Sequence, residues 1–534
     1  MTGHTATLAS STGRAPALLH DTGADRTPWS LGLGWASRRP NDIVIVDAPD
    51  AANPQLDRSI TWERLITDTA ELRRRLAAIG VADQRTVVFS LPNSPLTVAL
   101  WLAIMANDAI VQAIDVESGV VVFERALAAT DPVAVIVVPV NAKAAADALA
   151  RTGSPARLIV LDDTALSGGA RIEGLGALGA EPGEPSADAV AALLPTSGTS
   201  GLPKLVELTG RNYVYGAERL ARNSGYLSSD RHYLCSPFFH TNAQVYLVMP
   251  PFVTGGSMTV TPRFSATHYF GLAARTGVTV SSMVAPPMRL ALHKAVESER
   301  SVEIGDFRLI QYGMTLSSAD WVEWERLVPS IEMRQIYGQT ESVTGVLGGS
   351  PWEADDRTTI GRPYVGVEAV RLVGENGDDV PDGEPGELWV KGTPGATLMR
   401  GYRNAAEATR DALVDGVWLR TGDVMVRHPG GRFEFRGRRM HIIRRGGENI
   451  STYALEIDLQ ACPFVSDVAV TARADDRLDS LVIAHVIPDA GYSEEAFLVW
   501  CRENLGKRSV PDEVKVHSEF PRTGSGRVIA RELG

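Results

Sequence analysis

The chain has 534 residues, 44% of them hydrophobic and 22% charged, with a formal net charge of −12. That length exceeds one ordinary hydrophobic core and calls for at least two domains. The acidic balance argues against a nucleic-acid or anionic-membrane footprint. Taken in chain order, 1–15 lacks the basic head and apolar core of a secretory signal. Residues 59–80 place Trp62, Leu65, Leu72, Leu76 and Ile79 at helical spacing, with Gly80 as a stop. Val87–Leu91 reads as a strand and 96–106 as a helix that ends at Asn107-Asp108, far short of a bilayer span. Short β-branched runs at 133–140 and 158–161 follow, an alternation that indicates parallel strands covered by helices. Residues 167–188, rich in Gly, Pro, Ala and Glu, read as a surface loop. Three widely spaced cysteines (Cys235, Cys462, Cys501) give neither a disulfide framework nor a metal pattern, and suit a reducing cytoplasm.

The most informative stretch is Thr196-Ser-Gly-Thr-Ser-Gly-Leu-Pro-Lys204. Glycines expose backbone N–H groups, and these converge with hydroxyls and a lysine charge to form a concave anion site suited to a polyphosphate. The apolar run 190–194 reads as a buried strand feeding it, and the Walker spacing is absent. From Glu387 the texture becomes β-rich: 387–391, 424–426 and 432–436 read as short strands. A hinge is placed at Arg436-Gly-Arg-Arg439. The expected fold is α/β. A large body, residues 1–437, holds two α/β subdomains and a β-rich subdomain, and a small α+β domain, residues 438–534, follows.

Further motifs succeed the phosphate loop in a fixed order. They are Phe238-Phe-His-Thr-Asn-Ala243, Tyr312-Gly-Met-Thr-Leu-Ser317, Ile336-Tyr-Gly-Gln-Thr-Glu341 and Gly386-Glu-Leu-Trp-Val-Lys-Gly392. Then come Leu419-Arg-Thr-Gly-Asp423, Gly437-Arg438, Arg445-Gly-Gly-Glu-Asn-Ile450 and Pro521-Arg-Thr-Gly-Ser-Gly526. Each is weak alone. Together, over nearly the whole chain, they resemble the adenylate-forming superfamily of acyl-CoA synthetases, peptide-synthetase adenylation domains and luciferases. The resemblance implies a mobile C-terminal domain and a two-step reaction: a carboxylate and ATP give acyl-AMP and pyrophosphate, then a thiol displaces AMP.

What the resemblance implies for individual residues follows. Thr196, Ser197, Gly198, Thr199 and Lys204 would hold phosphates, with Thr340 touching the α-phosphate and Glu341 ligating Mg²⁺, a hard cation that takes oxygen. Gly313, Met314, Thr315, Tyr337 and Gly338 would bound the nucleotide, and Asp423 would take both ribose hydroxyls beside Arg438. His240 would line the acyl pocket and gate the thiol channel rather than act as a general base. Phe238, Val245, Val284, Ala285, Met288 and Tyr312 are the other expected pocket contributors. Arg445, Gly446, Gly447 and Glu448 would border the CoA path, and Arg439, Met440 and His441 would form the hinge. The implied cofactors are ATP or AMP, CoA and Mg²⁺. The implied partners are a small carboxylic acid or its adenylate and no nucleic acid or membrane. Phe238-Phe-His offers no aspartate to pair with an ammonium, so the acid is expected to lack an α-amino group.

Three positions depart from the family pattern. Arg527 follows Gly526 where the family presents a lysine that reaches the adenylation transition state. Met440-His441 replaces Lys-Asp at the hinge. Leu205 replaces a glycine after the phosphate loop and is expected to crowd it. Arg527 implies that adenylation is impaired, with a separate adenylating enzyme supplying acyl-AMP. A complete ATP-dependent ligase, transfer to a carrier-protein thiol, and a ligand-binding pseudoenzyme are the alternatives. A further resemblance, to synthetases of platensimycin-type natural-product pathways, would imply a bulky polycyclic acid.

Overall fold

The computed structural model describes residues 25–161, 175, 177–196, 204–297, 302–314, 316, 318–351, 357–438, 442–445, 448–475, 479–505, 509–522 and 528–533. Among these, a seven-stranded sheet has the order Gly401–Tyr402, Lys204–Thr209, Val190–Thr196, Ile110–Ala113, Thr86–Ser90, Ala134–Val137, Arg157–Val160. Its apolar strands pair in parallel under helices, and Lys204–Thr209 folds back antiparallel on Val190–Thr196. The helix Trp62–Ala77 starts where the Thr61 hydroxyl accepts from the Arg64 N–H, and it buries Trp62, Leu65, Leu72 and Leu76. Gly80 lies just beyond the helix at φ +86, a left-handed turn that suits glycine. Pro95–Met105, apolar on every face, is buried at all positions except the partly buried Leu96.

The run 133–140 divides in two, contrary to the single strand expected. Ala134–Val137 is the strand, and Pro139, with its φ preset, opens the helix Pro139–Thr152.

A nine-stranded sheet has the order Arg362–Pro363, Gly345–Gly348, Glu332–Gly338, Leu309–Gly313, Val280–Val284, Arg231–Leu234, Ser257–Val260, Ile43–Asp47, Arg58–Thr61. Its centre is parallel and its edges antiparallel. The β-rich part pairs Ala369–Val373, Pro385–Lys391, Trp418–Arg427, Leu413–Val414 and Phe433–Arg438. One core reaches from Trp29 to Phe433 and unites these three sheets, while a second fills the far face of the nine-stranded sheet. The small C-terminal domain joins the hairpin Ile442–Arg445 and Glu448–Ser451 to three strands, Val465–Asp475, Asp479–Pro488 and Glu513–Val516. Its own core includes Leu455, Leu459, Val482, Phe497 and Cys501. No helix among the described residues is long and apolar enough to cross a membrane.

Candidate active site

Three neighbouring parallel strands, Val280–Val284, Leu309–Gly313 and Glu332–Gly338, end together and pair Val284 with Gly313 and Tyr312 with Gln335. Open α/β sheets place ligands beyond such carboxyl ends. Met314 leaves its strand at φ +70, and its carbonyl accepts from Gln335 Nε2 at 2.9 Å. Gly338 is sterically required, because a Cβ there would lie 2.6 Å from the Thr344 carbonyl oxygen.

The segment after Gly338 is a short 3₁₀ turn, Thr340–Ser342, followed by Val343 at φ +69. The Thr344 N–H donates to the Ser342 carbonyl at 2.8 Å, closing a γ-turn around a β-branched residue. That conformation is strained and is held by the surrounding packing. The turn presents Thr340 and Glu341. Thr340 Oγ1 accepts from the Thr241 hydroxyl at 3.1 Å. Buried Glu341 accepts from the Tyr402 hydroxyl at 2.8 Å. Burial first, and then the Glu341 carboxylate, push the Tyr402 phenol well above its ordinary range, so it stays a donor. Lys204 Nζ sits 4.9 Å from the centroid of the Tyr402 ring.

The opposite corner is built by strand register. Asp423 faces Arg438 across Trp418–Arg427 and Phe433–Arg438, and Arg438 Nε donates to Asp423 Oδ1 at 3.1 Å. The Tyr337 hydroxyl donates to Asp423 Oδ2 at 2.6 Å. Burial and the Asp423 charge raise the Tyr337 phenol, which keeps it protonated. Gly422 turns at φ +73, and its N–H donates to Glu387. Gln339 Nε2 reaches the Thr421 carbonyl, which ties this turn to the one bearing Thr340. Two runs of contacts result, Lys204–Tyr402–Glu341 and Tyr337–Asp423–Arg438, and the Gln339–Thr421 hydrogen bond ties their turns together.

Thr196 and Lys204 pair across the mouth of the phosphate hairpin. Ser197, Gly198, Thr199, Thr315, Arg439, Met440, His441, Gly446, Gly447 and Arg527 lie outside the described residues, as does the side chain of Glu448. The Leu205 side chain packs against Ile110, Val190 and Leu193 and so supports the sheet, while the loop it is expected to crowd lies outside the described residues. Arg445 pairs with Asp512 and donates to the Val510 carbonyl at 3.0 Å, both within the small domain.

The expected acyl residues separate. The His240 ring, half-buried, lies 4.2 Å from the Phe239 ring, and the π-helix Asn242–Val248 begins two residues later. π-Helical segments are frequent at functional sites. Val284 shares the face of Gly313; a Cβ there would lie 3.7 Å from Val284 Cγ1. Phe238 and Val245 are packed in the core: the Phe238 ring lies 5.9 Å from both Phe89 and Trp101, and Val245 seats against Gly216. Tyr312, Ala285 and Met288 belong to the second core, where Tyr312 meets Trp321 edge-to-face at 5.8 Å. The cause is strand alternation, which sends Tyr312 to the face opposite Gly313. Thr241 and Tyr402 escaped the sequence reading. Thr241 sits inside a quoted motif, but only the fold shows its hydroxyl meeting Thr340.

The donor set fits the implied groups. Glu341 beside Thr340 is a hard-oxygen pair of the kind that shares Mg²⁺ with phosphates. Asp423 spends one acceptor site per oxygen on Tyr337 and Arg438, and a carboxylate has about four lone-pair sites, so capacity for two ribose hydroxyls remains.

The AMP-binding enzyme family matches residues 34–403, and its C-terminal domain family matches residues 455–527. A sulfoacetate–CoA ligase of Cupriavidus necator is 31% identical over 494 residues, covering 91% of this chain and 94% of that protein. ATP-bound MatB from Rhodopseudomonas palustris aligns with a TM-score of 0.80 at 22% identity, covering 95% of this chain and 98% of that one. The o-succinylbenzoate CoA synthetase of Bacillus subtilis, complexed with its acyl-adenylate, gives 0.81 at 22% identity, with coverage of 95% and 98%. With the quoted motifs brought together at neighbouring strand ends and turns, the chain belongs to the AMP-binding enzyme family, the adenylate-forming superfamily that includes the acyl-CoA ligases.

Proposed function

We propose that this chain converts an acyl adenylate and CoA into acyl-CoA and AMP, and that its own synthesis of the adenylate from ATP is impaired. One observation carries the second half: Arg527 stands where the family's closing motif has a lysine. A planar, forked guanidinium does not reproduce a compact ammonium aimed at one phosphate. Loss of one well-placed transition-state donor costs about 10²–10³ in rate. The joined Tyr337, Asp423 and Arg438 corner supports binding of the adenylate's ribose. In the transfer, the thiolate sulfur forms a bond to the acyl carbon as the bond to the phosphate oxygen breaks. AMP departs with that electron pair, and the thiol proton passes to solvent. Thr340 and Thr241 orient the reacting end, and His240 borders the thiol's approach. The small domain, from residue 438 onward, delivers the thiol along Arg445 to Glu448, pivoting at Arg439, Met440 and His441. A separate enzyme supplies the adenylate of an acid without an α-amino group.

A second reading, a complete ATP-dependent acyl-CoA ligase, is favoured by the intact pairing of Glu341 with Tyr402 and by relatives named as CoA ligases. Two assays separate them: pyrophosphate release from ATP with a panel of acids, and CoA-ester formation from the preformed adenylates. The first reading expects esters only from preformed adenylates. Pyrophosphate release at a rate matching ester formation overturns it in favour of the second. Absence of ester from either source overturns both.

A further inference from the structure

The helix Gly210–Ser224 carries a stripe that burial alone does not explain. Asn212, Gly216, Arg219 and Asn223 recur at steps of four, three and four, the spacing of one helix face, and all four are buried. A buried face is ordinarily apolar. This one holds the backbone of neighbouring loops. Asn212 Nδ2 donates to the Ala396 and Leu398 carbonyls at 2.7 and 2.8 Å, and the next residue, Met399, donates its N–H to the Glu341 carbonyl at 2.8 Å. Asn223 bonds to both backbone groups of Val365. Between them, a Cβ on Gly216 would lie 2.9 Å from Val343 Cγ1, so the glycine lets the helix close on the strained residue of the reactive turn. Arg219, one turn further along, donates from Nη2 to the Ser342 carbonyl at 2.8 Å.

Arg219 is 1% exposed and, among the described residues, pairs with no carboxylate. Its Nε has no hydrogen-bond partner, and its guanidinium carbon lies 5.4 Å from the centroid of the Tyr215 ring. The adjacent Glu218 is held by Arg26. Burying a cation without a counter-charge lowers stability, and an apolar side chain of similar length is often the more stable occupant of such a place. The fold therefore does not call for an arginine here. The Ser342 carbonyl does not call for one either, since it already accepts from the Thr344 N–H. What Arg219 adds is a second, charge-assisted bond that fixes the backbone between Glu341 and Val343.

Building on the acyl-adenylate reading, in which Thr340 orients the reacting end, we propose that Arg219 is a positioning residue for the reaction: through the Ser342 carbonyl it sets where Thr340 and Glu341 stand. Strained and costly arrangements of this kind persist where activity needs them.

The test compares Arg219→Met and Arg219→Lys with the wild-type chain in CoA-ester formation from preformed benzoyl, cyclohexanoyl and hexanoyl adenylates. AMP affinity by calorimetry and melting temperature are measured alongside. Arg219→Met keeps the stem and removes the donor. It should lower kcat about tenfold, the low end for a bond made by a charged donor. The KM for the adenylate and the AMP affinity should hold, and the melting temperature should hold or rise. Arg219→Lys, which restores a cationic donor, should recover most of kcat. Gly216→Ala presses on Val343 from the same face and should lower kcat several-fold with AMP affinity kept; it decides the matter if Arg219→Met does not fold. Wild-type kcat in Arg219→Met or in Gly216→Ala overturns the proposal and leaves the acyl-adenylate reading standing. So does a lysine variant no better than the methionine one. A fall in kcat matched by lost AMP affinity and a lower melting temperature also overturns it, because that marks a structural role. No ester from any of these adenylates with the wild-type chain removes the acyl-adenylate reading, and this proposal with it.

Discussion

Asp423 carries the heaviest local demand of any residue in the cleft, since it serves Tyr337 and Arg438 while retaining capacity for a ribose. Asp423→Asn keeps the shape but loses the charge and one acceptor. Because hydrogen bonds to charged groups contribute about 1.5–3 kcal/mol, AMP affinity should fall by roughly 10–100-fold. Calorimetry with AMP checks this, and unchanged affinity would mean the ribose binds elsewhere. Tyr402 makes a different demand. Its hydroxyl steadies Glu341 and its ring lies under Lys204, so Tyr402→Phe removes the donor and keeps the ring. The expected outcome is a several-fold weaker affinity for Mg²⁺–ATP, with metal-free AMP affinity unchanged, because a neutral hydrogen bond contributes only about 1 kcal/mol.

The phosphate hairpin, as an element, gives one sequence departure a second reading. A leucine in place of glycine next to a tight loop suggests crowding. In the folded chain, antiparallel pairing of Leu205 with Pro195 turns its side chain toward Ile110, Val190 and Leu193. Leu205→Gly should therefore destabilise the body by about 2 kcal/mol, from lost apolar burial and added chain entropy. It should leave pyrophosphate release no faster. A melting scan paired with the ATP assay decides the matter, since faster adenylation with unchanged stability would restore the crowding argument. A second element-level feature is the aromatic run Tyr337, Phe435 and Tyr453, with centroid separations of 6.3 Å and 4.9 Å. It joins the nucleotide corner, through the last strand of the body, to the helix Thr452–Gln460 of the small domain.

At the scale of the whole molecule, stability should depend on acidity through two buried histidines. Burial pulls His232 down to about 4, and burial together with His517 and then Lys515 does the same for His485. Between pH ~6.5 and about 4 the unfolded chain takes up protons that the folded chain refuses. The stabilisation is thus fully present above pH ~6.5 and is lost as pH falls toward 4. Asp47 and Glu456, raised by burial to about 6 and about 7, oppose the histidines by taking up protons in the folded chain over the same range. The checkable outcome is therefore differential: His232→Leu should lose less melting temperature, or gain more, than the wild-type chain between pH 7.5 and pH 5. An identical pH slope in the variant would clear His232 of the role.

Much of the site's chemistry was legible in the sequence because motif order fixes residue types: hydroxyls and lysine around the phosphate loop, Thr340-Glu341 after Tyr337-Gly338, and Asp423 in its Thr-Gly-Asp turn. Strand and helix periodicity likewise foretold Trp62–Ala77, Thr86–Ser90 and the β-rich stretch from Glu387. Facing was not legible. A strand alternates its sides with period two, but the pattern does not say which side meets a cleft when both are buried. Phe238 and Val245, with Tyr312, Ala285 and Met288, read as pocket lining from composition and went to two cores. The pairings of Tyr402 with Glu341 and of Arg219 with Ser342 bridge 61 and 123 residues. No local rule links such partners. Covalent order determined which chemical groups this protein has, and packing three sheets around a shared core decided which of them meet.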